Sequence, residues 1–362
     1  MKTDQEYNQR LLQAISSIDK PATLMEVCGT HTMAIARSGI RELLPPGIRL
    51  ISGPGCPVCV TSQGDIDRVI HLARNHDITL LTFGDMMRVP GSESSLQQCR
   101  SQGADIRVVY SPLDALQLAC QNPHREMVFL GIGFETTAPT IAHTIIEAQR
   151  LGVSNFSVWS LHKTVPPALQ AIFSDPEIEV DGLICPGHVS LVIGCAPYED
   201  LISKHHKPCV VTGFDERDIL EGICMLMRQI ASGQARAEIQ YKRLVKPEGN
   251  PIAQGLIARV FEPVAVNWRG LGTVPESGLA IRESYADYDA SRRFAVPDIE
   301  EKPIKGCACG AILTGKISPA QCALFGTVCS PMNPVGPCMV SQEGACAAHY
   351  RYTIPVKGRE SK

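Results

Sequence analysis

The sequence has no apolar run long enough to cross a bilayer. Its longest runs, such as Met127–Gly133, fall far short of the roughly 20 residues a spanning helix needs. The opening MKTDQEYNQR has no apolar signal segment, so a cytoplasmic protein without a membrane partner is expected. No basic block stands out, net charge is −3, and aromatics are only 5%, which removes the usual footprint of nucleic-acid binding. The C-terminal cysteines form no C-x2–4-C pair of the kind zinc modules use. The C-x3-C-x2-C spacing of radical enzymes is absent as well.

What is present is a chain of 362 residues, 44% apolar, long enough for two or three packed domains. From about residue 22 to 233, short apolar runs alternate with amphipathic stretches. The runs are Thr23–Val27, Ile48–Ser52, Ile78–Phe83, Ile106–Tyr110, Met127–Ile132, Phe156–Leu161, Gly182–Cys185 and Cys209–Thr212. Between them lie helix candidates such as Gln63–Arg74, Pro139–Leu151 and Glu216–Ala231. This alternation predicts parallel sheets with crossover helices. One barrel or two sheets would satisfy it. Two sheets are preferred, divided at the turn-like Asn122-Pro123-His124. The expected division is therefore an α/β domain over 20–121, a second over 122–233, and a cysteine-rich domain over 234–362 that also takes in 1–19. Within it, Gln234–Asn250 reads as a linker or a surface helix.

Unusual residues follow the runs: Cys28, then Gly53-Pro54-Gly55-Cys56, Gly133-Phe134-Glu135, His162, Pro186-Gly187-His188 and Gly213-Phe214-Asp215. Ligands of open α/β sheets bind beyond the carboxyl ends of the strands, so a site is expected along that edge. Glycine and proline could merely turn the chain; the accompanying Cys, His and Glu favour a site. Gly131-x-Gly133-x-x-Thr136 lacks the third glycine of a dinucleotide fingerprint, and no acid ends the following strand, so NAD binding is not expected.

The 15 cysteines cluster. Six fall between Cys307 and Cys346, in a stretch too poor in apolar runs to bury a core of its own. Cys307-x14-Cys322-x6-Cys329-x16-Cys346 offers four thiolates for a [4Fe–4S] cluster or a tetrahedral zinc, and the wide spacing leans toward iron–sulfur. Cys309 and Cys338 lie among them. Cys307 and Cys309 are too close for both to serve one iron easily, so one is expected to be spare. Cys56-Pro57-Val58-Cys59 can ligate metal or cycle between dithiol and disulfide. Thr61 or Ser62 would cap the helix after it. Cys28-Gly29-Thr30-His31 places a thiol before a helix and beside a histidine, where easy ionisation is expected. Glu135 could act as a base or orient a ligand; a plain helix N-terminal acid is the bland reading. His188 could be a ligand or proton carrier.

Together these motifs resemble the HypD family of [NiFe]-hydrogenase maturation proteins. The carriers are Cys28–His31, Gly53–Cys59, Gly133–Thr137, Pro186–Val189 and the spacing of Cys307, Cys322, Cys329 and Cys346. The resemblance spans nearly the whole chain and implies two α/β domains facing a cleft, plus an iron–sulfur domain. It implies a scaffold on which iron receives two cyanides and one carbon monoxide, working with a small HypC partner and a HypE cyanide donor. The finished fragment would pass to the hydrogenase large subunit. Cys28 would be the iron ligand, Cys56 and Cys59 a redox dithiol, and Cys307, Cys322, Cys329 and Cys346 the [4Fe–4S] ligands. His31, Glu135 and His188 would line the cleft. Two rival readings stand beside it: an iron–sulfur-dependent thiol/disulfide oxidoreductase using Cys56 and Cys59, and a zinc-stabilised binding module.

Overall fold

The computed structural model describes residues 2–299, 301–302 and 304–352. All eight apolar runs are strands: β1 Ala22–Glu26, β2 Ile48–Ser52, β3 Ile78–Thr82, β4 Ile106–Val108, β5 Glu126–Gly131, β6 Phe156–Ser160, β7 Gly182–Pro186 and β8 Cys209–Thr212. A ninth, β9 Ala237–Ile239, joins them. They form two parallel sheets, ordered β2-β1-β7-β8-β9 and β4-β3-β5-β6. Helices cover the sheets, so central residues such as Leu80, Val128, Phe129 and Ile184 are wholly buried. Strands buried on both faces read as continuous apolar runs, the pattern seen in the sequence. The helix Gln63–Asn75 starts where Ser62 accepts the N–H of Asp65 at 3.1 Å. The helix Glu216–Ser232 has an Asp215 capping box and ends at left-handed Gly233.

The chain builds β1 and β2, leaves to make β3–β6, and returns as β7. The turn at Asn122–His124 therefore does not separate the sheets. It joins the helix Pro112–Gln121 to β5, and both β4 and β5 pair with β3. The turn signal was real, but turn chemistry carries no information about which sheet the next strand joins. The N-terminal helix Lys2–Ser16, grouped by sequence with the cysteine-rich segment, packs on Glu216–Ser232 of the five-stranded sheet; Ile15 shares a core with Ile219, Leu220 and Ile223. Gln234–Asn250 is neither linker nor helix at its start, because β9 pairs with β8 there.

Beyond it lies an antiparallel hairpin, β10 Phe261–Trp268 and β11 Gly272–Ile281, that sequence reading missed. Pro263 and Pro275 interrupt the alternation that marks strands. The hairpin clamps the two sheets' loops: Thr61 bridges to Trp268 and Lys163 to Gly278. The cysteine-rich segment has only short helices, Cys309–Leu313, Pro337–Val340 and Ala345–Tyr352, with one 3-10 turn, Pro319–Gln321. Its Cys309, Cys338 and Cys346 share an apolar cluster with Met25 and Cys59 on one side and Val128 and Leu130 on the other. Among the described residues no helix is long and apolar enough to cross a membrane.

Candidate functional site

Cys28 follows β1 and caps the helix Gly29–Ser38 with extended backbone. The Gly29 N–H donates to the Gly55 carbonyl at 2.9 Å, which brings the Cys28 and Cys56 loops together. Gly55 is required for this approach, since a Cβ there would sit 2.2 Å from the Cys28 nitrogen. Beneath, wholly buried Glu26 accepts the Cys28 N–H at 3.2 Å and the Thr32 hydroxyl at 2.6 Å. Burial pushes the Glu26 carboxyl up to about 7. The Cys28 thiol is pushed up to about 12, mainly by burial, with the charges of Glu343 and Glu26 adding to it. The expected easy ionisation does not hold for the protein alone. Desolvation and two carboxylates outweigh the helix terminus, and a bound cation is what would favour the thiolate.

His31 lies in the first turn of the same helix, fully buried. Its Nε2 is 2.9 Å from the Gly213 carbonyl and 2.8 Å from the Thr212 hydroxyl. A carbonyl only accepts, so Nε2 carries the proton. Burial holds His31 down at about 4, and the neutral ring keeps an acceptor lone pair on Nδ1, which has no partner among the described residues. Phe214 stacks between two histidines, 4.7 Å from the ring of His31 and 4.0 Å from that of exposed His188. Glu343 covers this loop. It accepts from Thr30 Oγ1 at 3.0 Å, and its Cβ fills the space above Gly29. Sequence reading passed over Glu26 and Glu343. A lone acid between cysteines has no periodic signal, and Glu26 read as the end of a strand.

Cys56 and Cys59 form a disulfide. Cys56 caps a one-turn helix, Pro57–Val60, and its Sγ accepts the Cys59 N–H at 3.2 Å. The sequence placed both cysteines on a loop ahead of the Ser62 cap; Pro57 instead begins a separate turn. Both sulfurs are buried, and Cys59 Sγ lies 3.8 Å from the Pro337 carbonyl of the cysteine-rich segment.

Five thiols of that segment, Cys307, Cys309, Cys322, Cys329 and Cys346, line one pocket, walled elsewhere by apolar side chains such as Leu324, Phe325 and Met339. Cys338 is fully buried near Cys309 and Cys346. The two neighbouring thiols lower Cys346, at the start of the helix Ala345–Tyr352, while Cys338 is pushed up. Gly336 gives the sulfurs room, for a Cβ there would lie 2.5 Å from Cys307 Sγ and 2.7 Å from Cys309 Sγ. Among the described residues no three His, Cys, Asp or Glu side chains converge as a single-ion site. Thiols arrayed around an apolar pocket fit a [4Fe–4S] cluster, whose four irons take one thiolate each. All four cysteines of the sequence quartet face this pocket, and so does Cys309.

Glu135 stands at the carboxyl end of the other sheet. It is buried; Oε1 accepts the Val165 N–H at 2.9 Å and Oε2 has no partner among the described residues. Burial pushes it up to about 7. Its charge reaches Tyr198, whose hydroxyl is 2.9 Å from Ser190 in the helix Gly187–Ile193 that carries His188. Cys28, His31 and His188 thus lie at the carboxyl edge of the five-stranded sheet, and Glu135 lies at the carboxyl edge of the four-stranded one. His162, at the end of β6, is buried and held down at about 3 by desolvation.

Residues 4–353 match the family described as the hydrogenase formation hypA family, HypD. The chain is 48% identical over 344 residues to the hydrogenase maturation factor HypD of Rhodobacter capsulatus, covering 93% of this chain and 91% of that protein. It is 45% identical over 353 residues to a putative hydrogenase expression/formation protein of Methanocaldococcus jannaschii, covering 95% and 98%. To the hydrogenase maturation factor HypD of Escherichia coli it is 43% identical over 356 residues, covering 97% and 95%. The chain belongs to the HypD family of hydrogenase maturation factors.

Proposed function

We propose that this maturation factor is a cytoplasmic scaffold on which an iron atom acquires two cyanides and one carbon monoxide. In this reading it works with a HypC-type chaperone and a HypE-type cyanide donor, and the cargo goes to the hydrogenase large subunit. Two sheet-centred domains would face a cleft around the cargo, with the cysteine-rich segment as a third unit. One observation carries the reading. Cys28 is a buried thiol at a strand's carboxyl end, joined through Gly29 N–H···O=C Gly55 to the loop of a redox-capable cysteine pair.

The cargo iron would bind Cys28 Sγ, displacing its proton. Thiolate suits soft, low-spin iron. Among the described residues no three protein ligands converge there, which is compatible with an iron that brings cyanide and carbonyl ligands of its own. His31 Nδ1 and exposed His188 would orient polar ligands beside Phe214, and Glu135 would close the cleft from the other sheet. A [4Fe–4S] cluster held by Cys307, Cys322, Cys329 and Cys346 would supply one-electron transfer when bound. The Cys56–Cys59 disulfide opens to two thiols on taking up two electrons and two protons, and Cys59 lies against the segment that would hold the cluster.

Infrared spectroscopy of the protein purified with its partners tests the scaffold. Cys28→Ser should retain iron–sulfur colour yet lose the cyanide and carbonyl bands; bands at wild-type intensity would falsify the assignment. The disulfide itself favours a second reading, an iron–sulfur-dependent thiol/disulfide oxidoreductase. Reduction of protein disulfides that survives Cys28→Ser would support it.

A further inference from the structure

A groove of about 540 Å³ runs between the edge strand β2 and the cysteine-rich segment. No step proposed above uses it. Arg41, Arg49 and His349 bring basic groups to its lining, and Thr32, Ser52 and Ser318 bring hydroxyls. Lys316 at the rim is held by Asp175 at 3.2 Å and by Glu177, so the two arginines supply the available charge.

Arg41 is the unusual member. Its guanidinium donates to the Leu50 carbonyl and to Ser52 Oγ, both at 3.4 Å, beyond the normal range of a good hydrogen bond. A guanidinium carries five N–H donors in a rigid fork suited to planar or tetrahedral oxyanions. Two long bonds leave most of that capacity unused in a semi-enclosed site. Glu26 and Glu42 act on Arg41 only through space. The rest of the lining, including Ile48, Leu50 and Ile312, is apolar and lowers the local dielectric, which strengthens a charge-assisted bond formed there.

We propose that this groove binds a small oxyanion, a phosphate monoester or a dicarboxylate, clamped between Arg41 and Arg49 and completed by the Ser52 and Ser318 hydroxyls. One wall of the groove is the strand beside β1 and the other is the 312–321 stretch, so the ligand would pin the cysteine-rich segment to the five-stranded sheet. Thr32 joins the groove to the Cys28 loop, because its hydroxyl also donates to Glu26, which holds the Cys28 N–H. The proposal concerns binding alone and stands without the scaffold reading.

Calorimetry on the full chain at constant ionic strength, with inorganic phosphate and with succinate as separate probes, tests it. Saturable binding is expected and should weaken at least tenfold in Arg49→Glu, which changes an exposed side chain and leaves the core intact. Arg41→Lys, which keeps charge but loses the fork, should weaken it as well. Saturation by phosphate alone assigns a phosphate ester, by succinate alone a carboxylate, and by both the shared oxyanion chemistry. The bound probe should also slow amide exchange in 312–321. Absence of saturation by either probe, or equal affinity in folded Arg49→Glu, overturns the proposal.

Discussion

The two cysteine sites are built in opposite ways. At Cys28 the backbone does the work: a strand end, a helix start, and two glycines, Gly29 and Gly55, that let three chain segments meet within hydrogen-bonding distance. At Cys307–Cys346 regular structure is scarce, and the thiols contact one another around an apolar pocket. The first site is held by sheet register and should keep its shape without metal. The second has little regular structure, though Ile312, Leu313 and Met339 tie it to the main core, and metal binding there should add to its folding stability. A buried lone thiol pushed up to about 12 favours the thiolate only with a cation beside it, whereas among the clustered thiols Cys346 is lowered by its thiol neighbours.

The sharpest way to break this contrast is to remove one thiol from each site. Ala at Cys322, Cys329 or Cys346 should bleach the protein to near-zero cluster iron and open residues 304–352 to protease. The strand-end site should lose neither fold nor cluster in Cys28→Ser. If Cys309→Ala bleaches as fully as Cys307→Ala, the pocket uses Cys309, which faces it equally well. The reciprocal change, Gly55→Ala, should do at the backbone what cysteine loss does at the cluster. A methyl 2.2 Å from the Cys28 nitrogen forces the loops apart, at a cost on the order of 3 kcal/mol, read as a lower midpoint in urea with the cluster still bound.

The contrast also explains what could be read from sequence. The eight parallel strands were legible because strands buried on both faces are continuous apolar runs, and Cys28–His31 and Gly53–Cys59 announced themselves by glycine and cysteine together. The order of strands was not legible. Nothing in Asn122-Pro123-His124 says that β5 returns to β3, and nothing in β7 says that it lies beside β1. The hairpin Phe261–Ile281 was hidden by its prolines. Of the candidate site, the cysteine and histidine motifs were visible and the residues packed around them were not. Glu26, Thr32, Phe214 and Glu343 matter through position in space. The ionisation of Cys28 was misjudged because a helix start is visible in sequence and burial is not.

Glu26 offers a smaller effect with a clear sign. Its carboxyl rises from the ordinary 4.5 to about 7 in the folded protein, so the folded state binds the proton more tightly. The stability this gives is complete below pH 4.5 and is lost as pH rises toward 7, on the order of 3 kcal/mol in all. Glu135 has the same direction. His31, held down at about 4, has the opposite one and loses stability as pH falls below 6.5. The opposing slopes make the wild-type profile alone uninformative, so the comparison must be between variants. Glu26→Gln keeps the hydrogen-bond acceptor and removes the titration. Its stability relative to wild type should climb between pH 4.5 and 7; a flat difference would mean that Glu26 is solvated.

The smallest expected effect concerns Glu343, and it asks how far the strand-end site depends on the segment that supplies its cover. Glu343 comes from the cysteine-rich side, accepts from Thr30 and raises the Cys28 thiol through its charge. Its contribution ranks below burial, so Glu343→Gln should lower the Cys28 thiol only modestly. Glutamine fills the same space above Gly29 and still accepts from Thr30, so the change is electrostatic. Thiolate, not thiol, reacts with alkylating agents. At a pH below the thiol's own value, Cys28 in Glu343→Gln should therefore alkylate about two to three times faster than in wild type, followed by mass spectrometry of the Cys28 peptide. Raising salt should erase little of the difference, because buried charges are screened far less than exposed ones. A rate increase of tenfold or more would mean that Glu343 also shields Cys28 sterically. An unchanged rate would show that the cover does not reach the thiol, and that the two sites are electrostatically independent.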